Sequence, residues 1–151
     1  MGELEAGSWR LEAVWGNLFG GSLSNGFWVL GFGFWVMNFE KLGVWKKSAR
    51  LSAELYKGLK ELRDFGFRDQ ITRAGLSVPS NIAEGMSLSS NKQKHHFLTI
   101  AKGSCAELRT QIYIGMDIGY IGRNQGQTWL VETREIAAML TSLMNKIKAD
   151  G

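Results

Sequence analysis

The chain has one cysteine, one proline and two histidines in 151 residues. A lone Cys105 excludes an intramolecular disulfide and any cluster of cysteine metal ligands. That economy fits a reducing compartment, and a cytoplasmic location is expected. His95 and His96 are adjacent, so on a helix they project about 100° apart. Neither follows a glutamate by three residues, so the Glu-x-x-His pair of a di-iron bundle is missing. There is no phosphate-cradling glycine loop. Ser77, Ser80 and Ser104 have no evident base beside them, and Glu84 and Glu107 read as partners of Arg or Lys on neighbouring helices, or as backbone caps. The expectation is a binding protein rather than an enzyme, with no catalytic residue, no metal and no cofactor.

Charge is absent from residues 13–36, whereas residues 37–151 carry 17 Lys and Arg against 11 Asp and Glu. The first 36 residues also hold four of the six tryptophans and show no helical periodicity. Three readings of them stand open: an upstream extension of the reading frame with Met37 as the natural start, a weakly membrane-associating segment, or an extra element packing its aromatics on the domain. Their most apolar run, Gly26 to Val36, is about half of the roughly 20 residues a membrane span needs, and no membrane partner is expected. The expected division is a poorly structured N-terminal extension over 1–36 and one domain over 37–151. The basic excess of that domain suits an anionic partner or simple solubility.

The single proline, Pro79, falls inside a helical pattern. Proline in a helix interior removes one hydrogen bond and costs about 3 kcal/mol; the carbonyl left free is that of Gly75. The apolar stripe Phe67, Ile71, Ala74, Val78, Ile82, Met86 continues through it. This predicts a kinked second helix over 67–86, with a restart capped by Ser77 or Ser80 as the alternative.

Three further stripes predict helices. Val44, Ser48, Leu51, Leu55, Leu59 and Leu62 mark one over 44–63, followed by a turn at Asp64-Phe65-Gly66. Phe97, Ala101, Cys105, Leu108, Ile112 and Gly115 mark another from Asn91 to Ile121, opened by Ser90 and Gln93 at capping-box spacing and stopped by Gly122. Trp129, Thr133, Ile136, Leu140, Leu143 and Ile147 mark the last, over 127–148. Four helices with short connectors make an all-α, antiparallel up-down four-helix bundle. Lys46, Arg50, Lys57 and Lys60 lie opposite the first stripe and are the leading candidates for phosphate contacts; Arg73, Lys102 and Arg109 come next.

Five segments resemble a bacterial family of small four-helix bundles, the proteins encoded in intervening sequences of the large-subunit ribosomal RNA gene. They are residues 39–45, Gln70-Ile71-Thr72-Arg73-Ala74, residues 77–85, residues 97–104, and Glu107-Leu108-Arg109-Thr110-Gln111. The accessory protein of diversity-generating retroelements looks like a relative. The chain departs from the family pattern at Thr72-Arg73 (often two arginines), at Arg109 (often Glu) and in the connector at Asn91, Lys92 and Gln93 (usually with a Glu); the last two changes make it more basic. The resemblance implies a homo-oligomer, a pentamer, binding RNA or DNA; the alternative is a protein–protein adaptor such as a reverse-transcriptase partner. Around the kink, Ser77, Pro79, Ser80, Asn81, Glu84 and Gly85 are expected to form a structural or oligomer motif, with the polar groups able to satisfy the carbonyl that Pro79 leaves free or to meet a neighbouring subunit.

Overall fold

The computed structural model describes residues 38–149; the expected extension over 1–36 lies outside them. A short 3-10 turn, Phe39–Lys41, leads into four helices: α1 (Gly43–Gly58), α2 (Phe65–Met86), α3 (Asn91–Asp117) and α4 (Arg123–Ala149). Each sequential pair packs together, and α4 closes the bundle against α1; the backbones of α1 and α3 do not approach each other, so these two helices are diagonal. Moving along α2 through Phe67, Ser77 and Gly85, the α3 partners fall back through Gly115, Ser104 and Lys94. Along α1, Gly43, Lys47 and Arg50 meet Met139, Glu135 and Glu132 in turn. Partners that descend as the helix ascends are those of antiparallel neighbours, as short connectors require.

The stripes are the core. Leu55, Ile71, Ile82, Ala101, Ile112 and Leu140 are all 0% exposed. Leu98 and Leu130 are equally buried but sit one residue beside the stripe positions Phe97 and Trp129. A helix buries an arc rather than a line.

Helix ends depart from expectation for local reasons. The first helix ends at Gly58, not at residue 63, so Lys60 lies in the turn that follows. Asp64, expected in a turn, is the N-cap of α2: its carboxylate accepts from Phe67 N at 3.0 Å. Phe65 and Gly66 are already helical. The third helix stops at Asp117 because Gly119, with φ +78°, takes the left-handed conformation that only glycine adopts cheaply. Gly119 N then donates to Met116 O and Tyr120 N to Gly115 O, the pair of bonds that closes a helix C-terminus. Gly122, the predicted stop, instead precedes α4, and its carbonyl accepts from Gly126 N. Ser90 caps α3 as predicted, accepting from Gln93 N.

Through Pro79 the second helix is continuous, so no restart occurs. Ser80 Oγ donates to Leu76 O at 2.9 Å and Asn81 Nδ2 to Ser77 O at 2.8 Å. These carbonyls lie one and two residues beyond that of Gly75, so the polar groups brace the turn around the proline rather than filling its vacancy. None of the described helices is long and apolar enough to cross a membrane.

Candidate nucleic-acid interface

The helical repeat places Lys46, Arg50 and Lys57 on the outer side of α1, and all three are exposed. Arg50 is not a free cation. Its guanidinium donates to Glu132 on α4 at 3.1 Å and lies 3.8 Å from Glu54. Lys47, beside it, pairs with Glu135. The α1–α4 edge is thus an ion-paired seam, which leaves Lys46, Lys57 and Lys60 as the free members of the first set. Exposed pairs of this kind contribute about 0–1 kcal/mol each; their larger consequence is to cancel charge locally. Glu84 and Glu107, expected to pair with Arg or Lys, do not do so among the described residues; Glu107 accepts from Gln111.

Arg73 is exposed on α2, while Lys102 (exposed) and half-buried Arg109 belong to α3. Because α1 and α3 are diagonal, the seven predicted cations do not form one patch. The prediction could rank faces by charge, but a single helix does not reveal which neighbour flanks it.

The stretch around Pro79 divides. Ser77 turns inward and shares a 2.8 Å hydrogen bond with Ser104 on α3, and Asn81 Nδ2 reaches the same Ser77 hydroxyl at 3.0 Å. Gly85 is buried where α3 crosses: a Cβ there would lie 2.9 Å from Phe97 Cβ. Pro79 and Ser80 face the other way. With Phe39, Trp45, Tyr56, Leu76 and Ala83 they line an open, mostly apolar groove of about 460 Å³ between α1 and α2. Glu84 is exposed.

Two polar details bear on chemistry. Cys105 is buried and donates to the Thr133 carbonyl at 3.1 Å. Burial pushes its thiol up to about 11, against a smaller downward pull from Arg109, so it stays protonated and unreactive at neutral pH. At the opposite end of α2, Phe67 N and the Tyr120 hydroxyl both donate to Asp64, and these bonds hold its carboxyl below the ordinary aspartate range. Tyr120 is raised in turn by its bond to Asp64. A depressed carboxylate stabilises the fold above its unfolded pKa of about 3.9, and that contribution is lost as pH falls through the folded value. Urea midpoints of wild type are therefore expected to fall more steeply below about pH 4 than those of Asp64→Asn; parallel curves would refute the link.

The fold and surface define a small all-α bundle with a cation-rich exterior. The chain belongs to the 23S rRNA-intervening sequence protein family, whose model matches residues 40–142. It is also similar to a crystal structure, at 1.70 Å, of a protein of unknown function from the S23 ribosomal protein family of Bacteroides thetaiotaomicron. That match has 28% identity and a TM-score of 0.64, covering 67% of this chain and 97% of the other. No curated protein matches the chain.

Proposed function

We propose that this chain is a non-enzymatic, cytoplasmic, oligomeric bundle that binds RNA or DNA through its basic helix faces. One observation carries the reading. Of the 17 Lys and Arg between residues 37 and 151, only Lys47 and Arg50 lie within 4 Å of a described carboxylate. Charge left unneutralised on a rigid bundle is available to phosphates, and each phosphate neutralised releases counterions. A homopentamer, which the family resemblance implies, repeats such a face and raises avidity. The family name itself refers to 23S rRNA.

The test is retention of mixed-sequence RNA and DNA duplexes by the full chain across a salt series. If each protomer neutralises about four phosphates, log affinity is expected to fall with log salt at a slope near −3 to −4. Absence of binding at low salt would overturn the reading. In its place would stand a protein–protein adaptor, such as a reverse-transcriptase partner, with charge serving only to steer encounter. The apolar groove between α1 and α2 favours that second reading: Tyr56 and Leu76 remain 49% and 48% exposed along it.

A further inference from the structure

The free cations are not spread evenly. On α3 the cations Lys102 and Arg109 stand seven residues apart, with the imidazole of His95 seven before Lys102, and on α4 the cations Arg134 and Lys148 stand fourteen apart. A seven-residue step returns to the same side of a helix within about 20°. Cys105 meets the Thr133 carbonyl across the α3–α4 contact, and Arg134 Nη2 donates to the Tyr113 hydroxyl at 2.7 Å, one turn beyond Arg109. The two rows therefore flank one seam. Gly126 of α4 lies against Met116 of α3 while Thr133 lies against Cys105, so the order is antiparallel and runs Arg109 toward Arg134 and His95 toward the Lys148 end.

Carboxylates are kept off this face. Between His95 and Tyr113, and between Arg134 and Lys148, the only acids are Glu107 and Glu135. Glu135 is committed to Lys47 on the α1 side. Glu107 lies three residues after Ser104, which bonds Ser77 of α2, and is bonded by Gln111 on that same flank. Asp117 ends the row, one turn past Tyr113. No described carboxylate lies within 4 Å of Lys102, Arg109, Arg134 or Lys148. The α1 face, by contrast, has its central cations paired to Glu54, Glu132 and Glu135. The acids of α4 thus neutralise one edge and leave the other bare.

We propose that the α3–α4 face, rather than α1, is the principal phosphate-contacting surface, receiving a nucleic-acid backbone along the seam. This rests on the nucleic-acid reading above and specifies where it acts. The run from His95 to Arg109 is about 21 Å long at 1.5 Å per residue. That equals about six 3.4 Å steps along one strand, enough for several phosphates to meet the two rows. Tyr113, 43% exposed, stands beside Arg109 and Arg134 and offers a ring to an adjacent sugar or base.

The test compares Lys102→Gln/Arg109→Gln/Arg134→Gln with the control Lys46→Gln/Lys57→Gln/Lys60→Gln in the full chain. Fluorescent duplexes of RNA and of DNA serve as probes, with circular dichroism and light scattering to confirm fold and mass. The α3–α4 triple is expected to bind at least about tenfold more weakly at ~0.1 M salt, with a salt slope shallower by about 3. The control is expected to change affinity by less than about threefold, since partly screened outlying charges contribute little. Loss is expected with both duplexes, because phosphates are common to them; loss with one alone would overturn a backbone contact. Wild-type affinity in the α3–α4 triple, or an equal loss in the control, would overturn the assignment while leaving the nucleic-acid reading intact. No binding by wild type would remove that reading and the assignment with it. If the triple does not fold, Lys102→Gln/Lys148→Gln removes two exposed cations that make no side-chain hydrogen bond among the described residues, and a slope shallower by about 2 is then expected.

Discussion

Replacing Trp129 by alanine is expected to cost about 3–5 kcal/mol of folding free energy, the largest loss of any single side chain considered. Trp129 is 1% exposed and lies where the last turn of α1 meets α4. A Cβ on Gly58 would stand 3.0 Å from the indole Cη2 and Cζ2 atoms, so α1 ends in a residue small enough to admit the ring. Truncation leaves a cavity that the surrounding helices cannot fully close. One feature trims the loss: the indole Nε1 is buried without a hydrogen-bond partner among the described residues. An unmet buried donor costs about 1–3 kcal/mol, so removing it gives part of the loss back. Trp129→Phe, which keeps a ring and removes that donor, is expected to cost less than about 1.5 kcal/mol. Denaturant unfolding followed by circular dichroism reads both, and an alanine variant within 1 kcal/mol of wild type would contradict the packing described.

The second large effect lies where α1 presses on α2. A Cβ on Gly75 would fall 2.5 Å from Leu55 Cδ1, and Leu55 is 0% exposed. Leu55→Ala is expected to cost about 2–5 kcal/mol by cavity formation. Gly75→Ala crowds the same atoms at about 1–3 kcal/mol, offset by roughly 1 kcal/mol of helix propensity. In the double variant the new methyl enters the space that Leu55 vacates, so its cost is expected to fall at least about 1 kcal/mol below the sum of the singles. Additivity within experimental error would sink the account. Gly75 also bears the carbonyl that Pro79 leaves free. The turn that loses a backbone bond is therefore also a turn held by a close α1–α2 approach, which helps an interior proline to be tolerated without breaking the helix.

Much of this was legible in the residues alone. Burial every three to four residues is a one-dimensional signal, so Ile71, Val78, Ile82, Leu108, Ile136 and Leu140 identify core faces directly, and all are buried. Ser90 identifies a helix start because capping is local chemistry. Where two glycines compete, as Gly119 and Gly122 do, sequence cannot choose: the left-handed φ belongs to whichever one lets Ile121 pack against Gly115, and that contact depends on the fold. The start of α4 at Arg123 was missed because its first turn carries Asn124 and Gln125 before any apolar residue.

The candidate surface divides along the same line. Composition sufficed to specify an excess of positive charge, and chain periodicity four amphipathic helices and the outward side of Lys46, Arg50 and Lys57. Ion pairing could not be read this way, because Arg50 and Glu132 are 82 residues apart in the chain and meet only through α1–α4 packing. That packing spends the acids of α4 on one edge and strips the α3–α4 face of negative charge. The α2–α3 contact in turn draws Ser77 and Asn81 inward, while Pro79 is left in the groove between α1 and α2. The physical reason is one of range: hydrophobic periodicity and capping act within a few residues of the chain, whereas charge neutralisation depends on which helices become neighbours.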